Sequence, residues 1–155
     1  MRVWRIAPHR YLNQVWDGLG GLHAAGRWHE RGVRIVYAAE HPAVCALEIL
    51  VHLDRQLVPT DFFLCEAFIP DELITTLPVS SLPDDWASWP AGKGTRRLGM
   101  SWLAKEEHLA LRVPSAAAPR SFNVLINPLH PEAHQVRAIS REPWTPDSRL
   151  LVSAD

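Results

Sequence analysis

The stretch VRIVYAAEHPAVCALEILVHL, residues 33–53, sets a β-branched run, a proline and a long apolar run side by side. Val33–Ala39 reads as a strand. Its alternation puts Val33, Ile35 and Tyr37 on one face and Arg34 and Val36 on the other. His41-Pro42 has the form of a helix start, because proline at the first helical position lacks only an N–H that would be unpaired anyway. A helix over Ala43–Leu53 follows. Its residues Val44, Ala46, Leu47, Ile49, Leu50, Val51 and Leu53 point in nearly every direction, so the helix is expected to be buried. Glu48 is the exception within it. A carboxylate in such surroundings loses its hydration at a cost of several kcal/mol unless it is protonated or paired. His52, one turn on, could share its face, and a Glu–His pair at a solvent-facing edge is the plain alternative. Isolated carboxylates in apolar settings cluster in active sites, so Glu48 is read as a catalytic candidate.

Outward from this unit, short elements continue in both directions. Val3–Ala7 alternates as an opening strand. Leu12–His23 carries Leu12, Val15, Trp16, Leu19 and Leu22 at mostly helical spacing, with Gly20-Gly21 loosening it. Gly26-Arg27-Trp28-His29 leads into a turn at Glu30–Gly32. Downstream, Phe62–Ile69 reads as a strand closed by Pro70, and residues 78–90 read as an irregular loop holding Pro83, Trp86 and Trp89. Thr95 would cap a short helix through Ala104, with Gly99 counting against it. His108–Val113 and Asn123–Asn127 are short strands stopped by Pro114 and Pro128, and His134–Leu151 adds one or two more. Unevenly interleaved strands and helices predict an α+β fold, in one domain over residues 1–155.

Composition narrows the function. The chain has 47% hydrophobic and 21% charged residues and a formal net charge of −1. That balance describes a globular protein and gives no electrostatic case for binding nucleic acid or an anionic membrane. No apolar run reaches the length of a membrane span, and the first ten residues carry no signal-peptide core. Cys45 and Cys65 sit inside apolar segments and read as buried free thiols. A cytoplasmic location is expected.

Several other residues could carry chemistry. Arg27, between Gly26 and Trp28, suits bidentate binding of phosphate or carboxylate, although a lone arginine is more often a surface residue. Tyr37 alone is more often a core aromatic with a hydrogen-bonded tip. Ser115 and Asn127, each next to a proline at a strand end, fit either a site or an ordinary turn. His130 and His134 lack a third ligand, so no metal site is expected. Trp28-His29-Glu30 lacks the second histidine of a zinc-protease helix, and Gly92-Lys93-Gly94-Thr95 lacks the full phosphate-loop spacing. Neither a dinucleotide-binding glycine motif nor a nucleophile elbow occurs.

Taken in order, these pieces resemble the RES domain, the toxin of RES–Xre toxin–antitoxin pairs. The matching stretches are Gly26-Arg27-Trp28-His29, Val36-Tyr37-Ala38-Ala39 and Ala46–Leu53. They continue with Leu98-Gly99, Trp102-Leu103, Val113-Pro114-Ser115, Asn123–Pro128 and His130-Pro131. The family is named for an arginine, a glutamate and a serine, which map to Arg27, Glu48 and Ser115. The resemblance implies an ADP-ribosyltransferase-like split central sheet with flanking helices. It also implies an activity that consumes NAD⁺ as substrate, with no prosthetic group, by breaking the nicotinamide–ribose bond. Hydrolysis, phosphorolysis and transfer of ADP-ribose to a host protein all begin with that cleavage. On this reading Glu48 stabilises the ribose cation, Arg27 binds the pyrophosphate, Tyr37 shapes the nicotinamide pocket, and Ser115 and Asn127 hydrogen-bond ribose or phosphate. The implied partner is an Xre-type antitoxin, in a homodimer or a toxin–antitoxin hetero-oligomer. The rival expectations are an NAD-binding module without turnover, and an interaction module that docks a protein through exposed Trp86 and Trp89.

Overall fold

The computed structural model describes residues 1–52 and 61–151. Its regular elements run β1 (Arg2–Pro8), α1 (Gly20–His23), β2 (Val36–Ala39), α2 (Pro42–Leu50), β3 (Phe62–Phe68) and β4 (Ile74–Thr76). They continue with α3 (Lys93–Lys105), β5 (Ala110–Pro114), β6 (Phe122–Ile126) and β7 (Arg137–Trp144). The strands form one seven-stranded sheet in the order β4-β5-β6-β2-β1-β3-β7. Only β4 and β5 run parallel; the other neighbours are antiparallel. The fold is α+β.

The sheet is split at its centre. β1 follows β3 along its whole length, from Arg2↔Phe68 to Pro8↔Phe62. Towards β2 it keeps a single register pair, Trp4↔Ala39. Beyond that pair the two strands part, and the backbone groups facing the gap need other partners. Arg5 supplies one, donating from Nη1 to the Tyr37 carbonyl at 2.6 Å. The expected split sheet is therefore present, with the seam between β1 and β2.

Alternation along β2 divides the interior. Val36 and Ala38 pack into a core with Val3, Leu109, Val124 and Ile126. Tyr37 turns the other way, towards Trp28, Trp102, Leu111 and Leu125. The strand is shorter than the predicted Val33–Ala39, because the Ile35 N–H goes to the Gly18 carbonyl at 3.2 Å and not to a neighbouring strand. After β2, Glu40 ties the strand–helix junction down: its Oε2 accepts from Arg112 Nε and Nη2 at 2.9 and 2.7 Å, and its Oε1 from the Phe122 N–H. α2 then starts as expected, with Pro42 in the first turn and His41 Nδ1 accepting from the Ala43 N–H at 3.1 Å.

α2 departs from expectation in its burial. Val44 and Cys45 are buried, packed with Ile6, Ala39, Phe62 and Ala118, whereas Leu47 is 41% and Val51 62% exposed. The helix lies along the seam with one face on the sheet and another open. An all-round apolar pattern cannot separate core from the rim of a cavity. Leu53 lies outside the described residues.

Two further expectations change. Leu12–His23 is not one helix but a 3-10 turn (His9–Gln14) and the single turn of α1. Gly18 sits between them at φ 68, and a side chain there would meet the Ile35 backbone at 2.6 Å. Its apolar spacing reflects burial of Val15 against Ala7 and Cys65. Thr95 is not the cap of α3: Gly92 is, and the Thr95 hydroxyl donates to its carbonyl from inside the helix. The region after residue 134 forms one strand of eight residues, β7, in line with the one or two expected there, whereas the short strand β4 was not expected.

Candidate active site

A cavity of about 770 Å³ opens at the seam. β1 contributes Arg5 and Ile6, β2 contributes Tyr37 to Ala39, and α2 contributes Cys45, Glu48 and Ile49. The Ala25–His29 segment, the loop around Trp89, Arg96 of α3, the end of α2 and the β5–β6 connection with Asn123 contribute the rest of the lining. The size suits a dinucleotide-sized ligand.

Glu48 faces this cavity at intermediate burial, so it is not enclosed by its own helix. Its Oε1 accepts from the Ser115 hydroxyl at 2.7 Å and from the Asn123 amide at 2.6 Å. Both groups donate, so the carboxylate is fixed in direction by one oxygen. Oε2 has no hydrogen-bond partner among the described residues. His52 makes no ion pair with Glu48 among them; its ring instead faces Trp89 at 5.6 Å. The solvent-edge Glu–His pair is not what forms.

Ser115 is 2% exposed and sits just after β5. Its oxygen also accepts the Ala118 N–H at 3.0 Å. With one bond in and one out, it is a positioning group for Glu48 and not a free donor to a ligand. Asn127 is not brought to the cavity. It lies four residues, roughly 13 Å of strand, beyond Asn123, and its Oδ1 accepts the Leu129 N–H at 3.0 Å in a tight turn through Pro128. The asparagine that reaches Glu48 is Asn123, registered opposite Ala39. A polar first residue in the otherwise apolar NVLI run was the available signal.

Arg27 lies on the cavity wall. Its Nη1 donates to the carbonyls of Trp86 at 2.5 Å and Ser88 at 3.0 Å, pinning the loop that carries Trp89. Burial lowers its pKa, while the Glu48 carboxylate and then Tyr37 act the other way. An arginine stays charged through such a shift. Two further cations line the cavity that sequence reasoning missed. Arg96 donates from Nε to the Gly26 carbonyl at 3.0 Å. Arg5 has its Nε buried without a partner, and burial lowers its pKa. Only folding brings residues 5, 27 and 96 to one cavity.

Tyr37, half-buried, and His29, buried, form a hydrogen-bonded chain at the cavity wall. The His29 Nε2 faces the Ala24 carbonyl at 3.0 Å, which requires a proton there. The neutral ring then accepts at Nδ1 from the Tyr37 hydroxyl at 2.8 Å, and that oxygen accepts the Trp28 N–H at 3.1 Å. Burial pushes the Tyr37 phenol above its ordinary value and lowers His29, with the nearby Arg96 adding to the latter. The sign follows. A histidine whose pKa falls on folding stabilises the fold fully above its unfolded value near ~6.5, and that contribution is lost as pH falls through the lower folded value. Thermal melts of wild type should therefore drop on acidification below neutrality, and His29→Gln should flatten that part of the profile. Parallel profiles would remove His29 from this role.

Cys45 also lines the cavity. Burial pushes its thiol up to about 12, so it stays protonated and is no nucleophile. Cys45 and Cys65 are both free and buried. No cluster of metal-ligating side chains occurs among the described residues, and no helix among them is long and apolar enough to cross a membrane.

Known proteins are similar to this chain along most of its length. A "Prs ADP-ribosylating toxin" of a Sphingobium species is 36% identical over 156 residues, covering 97% of each chain. A "Toxin Res" of Pseudomonas putida is 41% identical over 153 residues, covering 97% of this chain and all of that one. Among solved structures, the M. tuberculosis MbcT–MbcA toxin–antitoxin complex contains a chain of similar fold. Its TM-score is 0.74 at 15% identity, over 93% of this chain and 84% of that one. The RES domain family model matches residues 2–149, and the chain belongs to the RES domain family.

Proposed function

We propose that this RES domain protein is the toxin of a toxin–antitoxin pair and acts by cleaving the nicotinamide–ribose bond of NAD⁺. The observation that carries the reading is Glu48, a carboxylate aimed into a dinucleotide-sized cavity and held by Ser115 and Asn123. As the glycosidic bond breaks, its electron pair leaves with the nicotinamide nitrogen and positive charge grows on the ribose, as at other glycosidic centres. A prepositioned carboxylate stabilises that charge without reorganising. An acceptor oxygen then bonds to the anomeric carbon and releases its proton. Arg27 and Arg96 supply cationic donors for the pyrophosphate, and Tyr37, braced by His29, walls the nicotinamide side. NAD⁺ is substrate here, and nothing in the reaction calls for a metal or prosthetic group.

The acceptor separates the variants of this reading. Water gives ADP-ribose and phosphate gives its phosphorylated form. A protein acceptor is favoured by one observation, the name of the Sphingobium relative, an ADP-ribosylating toxin. The structural neighbour is a toxin–antitoxin complex, which supports an antitoxin partner, of Xre type on the sequence resemblance.

The test is purified protein with NAD⁺, following nicotinamide release and product mass with and without phosphate or a protein extract. Intact NAD⁺ under all three conditions would sink the proposal. Ser115→Ala adds a finer check. It removes one charge-assisted hydrogen bond to Glu48, of about 1.5–3 kcal/mol, so kcat should fall roughly ten- to hundred-fold with KM little changed. A change confined to KM would put Ser115 on the ligand instead.

A further inference from the structure

Trp89 is 77% exposed, the most exposed large apolar side chain among the described residues, yet it lines the cavity. Its loop is well anchored. Arg27 holds two carbonyls on the N-terminal side of Trp89, at Trp86 and Ser88. Turn bonds join Trp86 N–H to Pro83 and Ser88 N–H to Asp85. The neighbouring Trp86, expected from the sequence to be exposed, is instead half-buried and packs into the core around Trp28 and Trp102. The Trp89 indole is thus presented from a fixed backbone at the cavity mouth. Across from it, at the end of α2, stands the exposed His52 ring, 5.6 Å away and inclined by 55°.

We infer that Trp89 and His52 form the subsite for the purine base of the dinucleotide, a proposal that rests on the NAD⁺ reading of the same cavity. His52 lies one helical turn beyond Glu48, a rise of about 6 Å. A ligand with its reacting ribose at Glu48 and its phosphates at Arg27 and Arg96 has its second, flat aromatic group left to place near that turn. Two aromatic side chains there offer π-faces and no bidentate donor–acceptor pair. Stacking of this kind accepts any purine, because every base has a π-face. The subsite therefore selects for the presence of a base and little for its edge, so the hypoxanthine analogue of NAD⁺ should be used about as well as NAD⁺.

The experiment compares wild type, Trp89→Ala and Trp89→Phe on NAD⁺ and on nicotinamide mononucleotide, which keeps the scissile bond but lacks the adenosine. Trp89→Ala should lower kcat/KM for NAD⁺ roughly ten-fold or more, mainly through KM. Trp89→Phe should recover most of it, and turnover of the mononucleotide should not change. Equal losses on both substrates, or none on NAD⁺, overturn the subsite. So does unaltered NAD⁺ turnover with loss of inhibition by the antitoxin, which would make Trp89 a protein-docking residue. Calorimetric binding of AMP separates this inference from the functional reading. If neither substrate is cleaved but AMP binds wild type and not Trp89→Ala, the cleavage proposal fails and the base subsite stands. AMP binding that is absent, or indifferent to the substitution, overturns the subsite whatever the turnover.

Discussion

Glu48→Gln should reduce nicotinamide release by about 10²–10³-fold while leaving the fold and NAD⁺ binding close to wild type. The reason is local. A glutamine oxygen can still accept from Ser115 and Asn123, which lie 2.7 and 2.6 Å from Oε1. The side chain therefore stays in place and loses only its charge. On the proposed reaction, what disappears is the electrostatic stabilisation of the ribose cation, which a neutral amide does not supply. The loss should fall on kcat, because the ground-state contacts proposed for Arg27, Arg96 and Tyr37 are untouched. Expression of wild type is expected to arrest cells, and expression of the variant should be tolerated. Full activity in Glu48→Gln would end the carboxylate role, and a melting temperature far below wild type would mean the charge had been structural.

The second large effect concerns stability. Gly99 lies in the middle of α3, where a β-carbon would stand 1.9 Å from the Trp28 carbonyl oxygen and 2.8 Å from its carbon. Those are backbone atoms between Arg27 and His29, and they cannot move without disturbing the cavity wall. Gly99→Ala should therefore cost about 3 kcal/mol, lowering the melting temperature by about 6–12 °C for a domain of this size. Helix propensity works the other way by up to ~1 kcal/mol and does not reverse the sign. Gly20→Ala is the control, because a β-carbon there meets nothing within 4 Å. A melt of Gly99→Ala within about 2 °C of wild type would show that α3 shifts freely against the Trp28 segment.

The glycine also shows how differently two signals in one sequence can be read. Taken locally, Gly99 argues against a helix over residues 95–104, yet α3 extends beyond both ends of that prediction. The close approach of two backbones, not local propensity, accounts for the residue. The Leu12–His23 stretch errs in the opposite direction: its spacing is helical, but the residues are buried by a chain that turns at Gly18. Periodicity reports which side chains are covered and not always by what backbone shape.

The sequence by itself determined the strand positions at β1, β3, β5 and β6 to within a few residues, and the start of α2 at Pro42. Those depend on alternation and on proline, which act over a few residues. It also pointed to Glu48, Arg27, Tyr37 and Ser115, through a charge in an apolar run and the order of the motifs. Tertiary structure alone decided how they are joined. Ser115 meets Glu48 across 67 residues and Asn123 meets it across 75, because the sheet order places β6 beside β2 at the foot of α2. The same order left Asn127 in a turn, brought Arg5 and Arg96 to the cavity, and set Trp89 at its mouth while Trp86 turned inward. Such pairings depend on strand order and on where the seam opens, and no local pattern of residues encodes either.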